Sequence, residues 1–341
     1  MRTALDRNRP RSVPSPATRI LAADAAGIAE AALCLRAGGL VAFPTETVYG
    51  LGTDATNDHA VAQIYAAKQR PAFNPLIAHV ENRAAAEAQG AFSKEALALA
   101  RAFWPGPLTL VLPLAQGANV CALARAGLDS IALRVPAHPA ARALIAAAGR
   151  PLAAPSANRS GRVSPVTAAH VMEDLSGAID LILDAGPCPV GVESTIVACL
   201  EGPPRLLRPG GISRAAIEAV LGRKLAEPAP TAEPQAPGML ASHYAPRALL
   251  RLDACELRPG EAGLDFGGCF PLGPQVLDLS PKRDLEEAAA NFFSYLRELD
   301  AGQPGSIAVA SVPHEGLGEA INDRLARAAA PRPAAGSRHL P

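Results

Sequence analysis

A proline-rich stretch, AEPAPTAEPQAP at residues 226–237, divides the chain into two parts. It offers almost no side chain to bury, and proline cannot continue a helix, so the stretch predicts an extended, semi-rigid linker. In a chain of 341 residues the segments on either side are long enough to form separate cores. We therefore predict four regions: a disordered tail at 1–18, a larger domain at 19–222, a linker at 223–246 and a smaller domain at 247–335.

Short apolar runs alternate with helical patterns in the larger domain. The runs predict strands at 40–43, 75–80, 108–113, 130–136, 151–158, 180–184, 194–200 and 205–210. Helical patterns are predicted at 24–37, 57–69, 93–103 and 138–148, with further helices beginning at Ser164-Pro165 and at Ser213. This order predicts an α/β fold, with a twisted mixed sheet and flanking helices.

The segment after the linker contains the same two kinds of pattern. ALLRL and SIAVAS read as strands, and residues 284–299 and 316–329 read as helices. The sequence therefore predicts a smaller second α/β unit.

The charges of the chain balance, with 32 basic and 32 acidic residues. This balance gives no general footprint for nucleic acid or for a membrane surface. The six cysteines form no CxxC pair, which predicts buried free thiols in a reducing compartment and no zinc site. The N-terminus lacks the apolar core of a signal peptide, and no uncharged stretch is long enough to span a bilayer. We expect a cytoplasmic protein without membrane association.

The segment VAFPTETVYGLGTDA, residues 41–55, combines a short strand with polar residues and two glycines. A dinucleotide-binding turn would place its first glycine directly after the strand, but PTETVY intervenes here. Thr45, Glu46, Thr47 and Tyr49 instead follow the strand end, where open α/β sheets bind ligands. An ordinary polar turn is the alternative. The glycines are expected to let the chain turn tightly beneath a ligand.

Lys68 and Arg70 stand at the end of a predicted helix, just before Pro71. Cations at that position complement the helix dipole, so a solvated last turn is one interpretation. The other is a clamp for a polyphosphate, because lysine offers a mobile charge and arginine a planar fork of donors. The sequence leaves both open.

Polar residues also follow the strand at 151–158. Ser156, Asn158 and Ser164 lie between it and a predicted helix N-terminus, a natural anion site. The alternative is a turn followed by a helix N-cap, which would account for Ser164 but not for Ser156 or Asn158.

Two cations and a histidine sit in apolar strands. Arg134 ends such a strand and needs a carboxylate or phosphate partner, an internal salt bridge being the commoner answer. His79 and Arg208 can likewise be interpreted either as residues of the core or as part of a binding site. The chain has neither GxxxxGK[ST] nor GxSxG, which argues against a P-loop NTPase and an α/β-hydrolase.

Seven motifs occur in one order: FPTETVYGLG, KQRPAFNPL, PGPLTLVL, SIALRVPAHP, PLAAPSANRSG, GVESTIV and LLRPGGIS. Together they closely resemble the YrdC/Sua5 family over about residues 20–215. PGMLASHYAP and GLGEAINDRLARAA resemble the C-terminal domain of the longer Sua5 type. The resemblance implies a YrdC-like catalytic domain at 19–222 and a Rossmann-like C-terminal domain.

The resemblance implies an L-threonylcarbamoyladenylate synthase, a nucleotidyltransferase. Its substrates would be ATP, L-threonine and bicarbonate or CO2, and pyrophosphate would be released. The product would pass to a tRNA threonylcarbamoyl transferase complex, which modifies adenosine 37 of tRNAs that read ANN codons; a weak direct contact with tRNA is also expected. Without an acidic cluster in the sequence, Mg²⁺ is expected to arrive bound to ATP.

Site residues follow from the matched motifs. Lys68 and Arg70 would be catalytic. Binding of ATP is implied for Lys68, Arg70, Asn74, Ser130, Ser156, Asn158, Ser164, Arg208, His243 and Tyr244. Binding of threonine is implied for Thr47, His79, Arg134, Ala154 (through its backbone) and Ser194, with Arg134 paired to the threonine carboxylate. Because His243 and Tyr244 come shortly after the proline-rich stretch, residues 226–246 are predicted to act as a lid over the nucleotide.

Other functions remain as alternatives. Related enzymes that make a different carbamoyl adenylate, as in hydrogenase maturation, carry CxxC segments and an acylphosphatase region that this chain lacks. A non-catalytic RNA-binding module is disfavoured by the balanced charge and the lack of aromatic stacking platforms. A nicotinamide-dependent enzyme would rest on the glycines of residues 50–52 alone.

Overall fold

A computed structural model describes residues 17–226, 237 and 242–331. The predicted tail lies outside this part of the chain apart from residues 17 and 18. Most of the linker, at 227–236 and 238–241, also lies outside it.

The larger domain contains a ten-stranded sheet. Its strands are β1 Arg19–Ala22, β2 Val41–Phe43, β3 Gly50–Asp54, β4 Ile77–His79, β5 Leu108–Pro113, β6 Ser130–Arg134, β7 Leu152–Ala153, β8 Leu181–Asp184, β9 Thr195–Ala198 and β10 Arg205–Arg208. They lie in the order β1-β8-β2-β3-β7-β4-β6-β5-β9-β10. Parallel pairs, such as β4 with β6, occur beside antiparallel pairs, such as β5 with β6, so the sheet is mixed as predicted.

Helices flank this sheet. They are α1 Ala25–Arg36, α2 Asp58–Lys68, α3 Arg83–Glu87, α4 Lys94–Phe103, α5 Pro139–Ala148, α6 Ala168–Leu175 and α7 Arg214–Leu221. Polar side chains fix their starts: Asn57 accepts hydrogen bonds from the first turn of α2, and Ser213 accepts one from the first turn of α7. The cap at Ser213 was predicted, and the predicted start of the other helix at residue 57 agrees with its cap at Asn57.

The C-terminal domain has a parallel sheet in the order β11-β14-β12-β13. Its elements are β11 Leu249–Arg251, β12 Glu261–Asp265, β13 Val276–Asp278, α8 Leu285–Ala301, β14 Ser306–Val309 and α9 Gly318–Ala329. This is the predicted smaller α/β unit, with β12 and β13 in addition. Among the described residues, no helix combines the length and apolarity needed to cross a membrane.

The helix predicted to start at Ser164-Pro165 begins later. Thr167 is the N-cap of α6, and its hydroxyl accepts a hydrogen bond from His170 N at 3.2 Å. The Ser164 hydroxyl instead donates to Glu193 Oε1 at 2.5 Å and is fully buried. Because a buried carboxylate takes this hydroxyl, it does not cap the helix.

The glycines of residues 50–52 do not form the predicted tight turn. They lie in β3, which pairs with β2 in an antiparallel register. A Cβ atom on Gly52 would lie 2.6 Å from a ring carbon of Phe43. These glycines therefore let an aromatic ring pack directly on the strand.

The cysteines also differ from expectation in part. All six are free thiols, but of the six only Cys188 and Cys199 are buried; Cys34 and Cys121 are half-buried, and Cys255 and Cys269 are exposed. Both belong to the loops of the smaller domain, where short strands leave less core to cover them.

The two domains are joined by ion pairs and by aromatic packing. Arg297 of α8 pairs with Asp174 of α6 at 2.7 Å, and Arg214 of α7 pairs with Glu319 of α9 at 2.7 Å. Tyr244 stacks on Phe293 of α8 with ring centroids 5.7 Å apart. The C-terminal domain therefore packs directly on the larger one.

A substitution at Gly210 tests the close packing beside β9. A Cβ atom there would lie 2.3 Å from Glu193 O and 2.5 Å from Thr195 N, both backbone atoms that cannot move aside. Gly210→Ala should lower the free energy of unfolding by about 2–3 kcal/mol, measured by urea denaturation. Gly305→Ala, at an exposed glycine with open space around it, is the control and should change little. Equal stabilities of the two variants would contradict this account of the packing.

Candidate active site

Side chains from distant parts of the sequence meet at one edge of the large sheet. Arg134 ends β6 and is in register with His79, which ends the neighbouring β4. Arg208 ends β10 beside Ser194, which precedes the antiparallel β9. The mixed strand directions thus bring strand ends and strand starts to the same place.

A cavity lies at this edge, and most of the predicted site residues line it. They are Thr47, Arg70, His79, Arg134, Ala154, Ser156, Ser194, Arg208, His243 and Tyr244. Residues predicted for the nucleotide and for threonine therefore share one hollow.

The other predicted residues are not part of the cavity wall. Lys68 lies directly behind it, with its Nζ donating a hydrogen bond to Ser156 O at 2.6 Å. Asn158 is buried in the adjoining loop and donates to Arg162 O at 2.9 Å. Ser164 reaches the wall through its bond to Glu193.

Asn74 and Ser130 do not line the cavity themselves. The backbone oxygen of Asn74 accepts hydrogen bonds from Arg70 Nε at 3.3 Å and from the Tyr65 hydroxyl at 3.2 Å. Ser130 is the first residue of β6, whereas Arg134 is the last. The structure therefore separates Ser130 from the cavity by the length of that strand.

One part of the cavity is built around a buried ion pair. Arg134 Nη2 lies 2.7 Å from Glu46 Oε1, and the other oxygen of Glu46 accepts from Ala137 N at 3.0 Å. Burial raises the pKa of the Glu46 carboxyl, but Arg134 and these hydrogen bonds outweigh it, so the net pKa is lowered. Glu46 is the internal partner that the position of Arg134 suggested, and it fixes the guanidinium at the cavity.

His79 stands next to this pair as a neutral side chain. Burial, together with the charge of Arg134, lowers the pKa of His79 to about 3. Its Nδ1 is buried and has no partner in the described part of the protein. A neutral imidazole can exchange a hydrogen bond with a ligand amine without repelling it.

Thr45 and Thr47 complete this side. Their hydroxyl oxygens are 2.8 Å apart, and the Thr45 hydroxyl also donates to Val48 O at 2.7 Å. This local network holds the Thr47 hydroxyl at the cavity wall.

The opposite part of the cavity is strongly cationic. Lys68, Arg70 and Arg208 are all buried, and within residues 17–226, 237 and 242–331 none of them pairs with a carboxylate. Arg70 donates to Asn74 O and Pro75 O, and Arg208 Nη2 donates to Ser194 O at 2.9 Å. Buried charges held only by neutral groups are costly unless an anionic ligand compensates them.

The pKa values of Lys68 and Arg70 show that burial disfavours their charged forms. Burial, with the nearby charge of Arg70, holds the pKa of Lys68 well below its ordinary value. Burial also lowers the pKa of Arg70 to about 10. A bound anion would favour the charged forms of both side chains.

The cavity has little free space, and residues of the predicted linker form part of its wall. Its free volume is about 40 Å³, room for a few water molecules but far less than a nucleotide needs. His243, Tyr244 and Pro237 form part of its wall. Burial and the surrounding cations keep the pKa of His243 far below its usual range, so this side chain is neutral.

Buried polar atoms that lack a hydrogen-bond partner gather at this site. In the described residues they are Asn74 Oδ1, His79 Nδ1, Asn158 Oδ1, His243 Nδ1 and Arg324 Nη2. The first four belong to residues that the sequence assigned to ligand binding. Such unsatisfied groups are expected where a ligand supplies the missing bonds.

Sequence reasoning missed several residues of the site. Glu193 lines the cavity, and Thr109 lies behind it with its hydroxyl 2.7 Å from that of Ser194. A carboxylate directly before an apolar strand was the available signal for Glu193. Within the residues described, no group of three or more His, Cys, Asp or Glu side chains could hold a metal ion.

Family models cover almost the whole of this arrangement. Residues 34–210 match the Sua5/YciO/YrdC model, described as telomere recombination. Residues 212–330 match the Sua5 C-terminal model, described as the C-terminal domain of threonylcarbamoyl-AMP synthase. The chain belongs to the Sua5 family.

Curated relatives resemble this Sua5 family member over most of their length. The threonylcarbamoyl-AMP synthase of Bacillus subtilis is 42% identical, covering 89% of this chain and 93% of the relative. That of Schizosaccharomyces pombe is 39% identical, covering 85% and 84%. The crystal structure of Pyrococcus abyssi Sua5 with L-threonine superposes with a TM-score of 0.85 at 39% identity, covering 92% of this chain and 98% of that one.

The Glu46–Arg134 pair should make stability depend on pH. Because the folded-state pKa of Glu46 is lowered, its contribution is present above the ordinary value of 4.5 and is lost as the pH falls through the folded value. At neutral pH, Glu46→Gln should lower the free energy of unfolding by about 3 kcal/mol. Urea denaturation from pH 7 to pH 3 should show this difference shrink below pH 4.5. A difference that stays constant across the series would count against the pair.

Proposed function

We propose that this chain makes L-threonylcarbamoyl-AMP from L-threonine, bicarbonate or CO2 and ATP, and releases pyrophosphate. The observation that carries the proposal is a set of three buried cations at the cavity, none of which has a carboxylate partner among the described residues, next to an arginine and a neutral histidine of the cavity wall. Family membership and the names of the curated relatives support it.

The cationic part of the cavity suits a triphosphate. Lys68, Arg70 and Arg208 would lie along the phosphates, where they stabilise the negative charge that grows as pyrophosphate leaves. Further nucleotide contacts are proposed for Asn74, Ser156, Asn158, Ser164, His243 and Tyr244, but not for Ser130, which lies at the other end of β6 from Arg134 and does not line the cavity. Mg²⁺ would enter as the MgATP complex, with its ligands supplied mainly by phosphate oxygens and water.

The part around Arg134 suits threonine. Arg134 Nη1 has no protein partner in the described residues, so it can donate to the threonine carboxylate while Nη2 stays bound to Glu46. Thr47, His79, Ser194 and the backbone of Ala154 would contact the rest of the amino acid. Neutral His79 can exchange a hydrogen bond with the threonine amine, and the positive charge of nearby Arg134 disfavours the protonated form of that amine.

The chemistry follows from these two neighbouring sites. The neutral amine of threonine attacks CO2 and loses a proton, which gives a carbamate. A carbamate oxygen then attacks the α-phosphorus of ATP, and the bond from that phosphorus to the oxygen bridging to the β-phosphate breaks. Pyrophosphate leaves, and a water-excluding cavity protects the labile product. The product would serve the threonylcarbamoylation of tRNA.

Pyrophosphate release with each substrate omitted in turn tests the proposal. The full mixture of ATP, threonine and bicarbonate should release pyrophosphate, and each omission should abolish the signal above background. Salt-dependent binding of tRNA without threonine-dependent release would instead favour an RNA-binding module.

Two substitutions test whether the cationic part of the cavity and the part around Arg134 are both needed for the reaction. Lys68→Ala and Arg134→Ala should each reduce kcat/KM at least about a hundredfold, because each removes a positive charge at the proposed substrate site. Lys224→Ala and Arg223→Ala are matched controls, since both side chains form ion pairs at the surface. Full activity of Lys68→Ala or Arg134→Ala, with an unchanged circular dichroism spectrum, would refute this site map.

We also propose that residues 226–246 act as a lid. His243 and Tyr244 occupy the cavity wall, and the free volume is too small for ATP, so these side chains must shift when the nucleotide binds. ATP with threonine should slow proteolysis within 226–246 several-fold relative to the free protein, as measured by mass spectrometry of the fragments. Equal cleavage rates in the two conditions would rule out ligand-dependent closure.

A further inference from the structure

Arg324 is a buried cation of the C-terminal domain that contacts the larger domain. It lies in α9, is 0% exposed, and donates from Nε to Glu193 Oε2 at 3.1 Å. Its Nη1 donates to Pro209 O at 2.5 Å, in the turn that follows β10. A surface helix of the second domain thus places a full positive charge against the residues that carry the cavity.

Glu193 connects this arginine to the proposed nucleotide site. It lines the cavity, and its second oxygen accepts the Ser164 hydroxyl at 2.5 Å. Arg324 is its only cationic partner in the residues described. Without that partner, a carboxylate would face the space where the cations are expected to hold phosphates.

The same helix also holds the residues that close the cavity. The guanidinium of Arg324 lies over the Tyr244 ring, 5.5 Å from its centroid, which is cation–π geometry. One turn further along α9, Arg327 O accepts a hydrogen bond from His243 N at 3.2 Å. Arg324 therefore contacts both a fixed wall of the cavity and its closing segment.

One donor of Arg324 remains unused. Nη2 is buried without a partner, and the other four such atoms in the described part belong to residues predicted to bind ligands. A structural salt bridge optimised only for domain packing would be expected to satisfy all its donors. Because Arg324 shares this feature, a buried polar atom without a partner, with the predicted ligand-binding residues, we assign it to the same site.

We propose that Arg324 is a positioning residue for the nucleotide, supplied to the larger domain by the C-terminal domain. It neutralises Glu193 beside the phosphates and holds Tyr244 against the cavity. This inference rests on the proposed function, since it assigns the nearby cavity to ATP. It gives the C-terminal domain a role in substrate binding.

Burial opposes the charge of Arg324, but Tyr244, Glu193 and Asp323 together raise its pKa, so the guanidinium stays protonated. Removal of this charge leaves Glu193 as an unpaired buried anion. The electrostatic effect on MgATP should be large, whereas threonine, bound near the separately neutralised Glu46, should be little affected.

A double-mutant cycle tests the inference through MgATP affinity, measured by titration calorimetry on the full chain. Arg324→Gln should weaken MgATP binding at least about tenfold and threonine binding less than about twofold. Glu193→Gln combined with Arg324→Gln should restore MgATP affinity to within about threefold of the starting protein, because no unpaired anion remains.

Arg214→Gln is the matched control, because it removes another arginine–glutamate pair between the domains, away from the cavity. It should leave MgATP affinity unchanged. Arg324→Lys should fall between the starting protein and Arg324→Gln, since it keeps the charge but loses the planar fork.

Two results would overturn the inference. One is a folded Arg324→Gln variant that binds MgATP as tightly as the starting protein. The other is a folded double variant that binds MgATP more than about threefold more weakly than the starting protein; this second comparison decides the matter if Arg324→Gln alone does not fold. Calorimetry needs no turnover, so a failure of pyrophosphate release would count against the proposed function and leave this result standing.

Discussion

Lys68, Arg70 and Arg208 are buried cations held in place by oxygen atoms of neutral groups. The Nζ of Lys68 is bound to the backbone oxygens of Ser156 and Asn158, which fixes the loop after β7 against the end of α2. Arg208 in the same way joins the end of β10 to Ser194, at the start of β9. The arrangement of these loops and strand ends therefore depends on cations that pair with no carboxylate in the part of the chain that the structure describes.

Unlike these cations, two carboxylates near the cavity each form an ion pair with a side chain of opposite charge. Glu46 is paired with Arg134 from the same sheet, and Glu193 is paired with Arg324 from the second domain. Each of these two carboxylates thus has a cationic partner, whereas Lys68, Arg70 and Arg208 have no carboxylate partner in the described ranges. The site as a whole therefore carries a net positive charge, which suits an anionic ligand. The net charge of the whole chain is zero, so it does not predict this local excess.

The strongest sequence signals were continuous apolar runs and side-chain caps. The runs at β2, β4, β5 and β6 were predicted because both faces of these strands are buried, and Asn57 and Ser213 marked two helix starts. Strand β3 was not predicted, because its glycines suggested a turn when in fact they accommodate the Phe43 ring. Tertiary packing decided that conformation, and no local pattern reports it.

The site was predictable to the extent that its residues lie in family motifs. Those motifs led to the residues around Lys68, Arg134 and Ser194, most of which share one cavity. Ser164 was misread as a helix cap because its real partner, Glu193, is 29 positions away. Arg324 had no local signal at all: an arginine in an amphipathic helix is usually solvated, and only the packing of two domains buries it.

The strand order has a consequence for how the protein folds. Strand β1 pairs with β8, and β5 pairs with β9, so neighbours in the sheet are often far apart in the sequence. Pairings of this kind require long loops to close before they gain any contact, which slows folding. The edge that carries Arg134, Ser194 and Arg208 needs β4, β6, β9 and β10 together. We therefore expect the earliest compact species on the folding pathway to have helices and local hairpins but no ligand pocket.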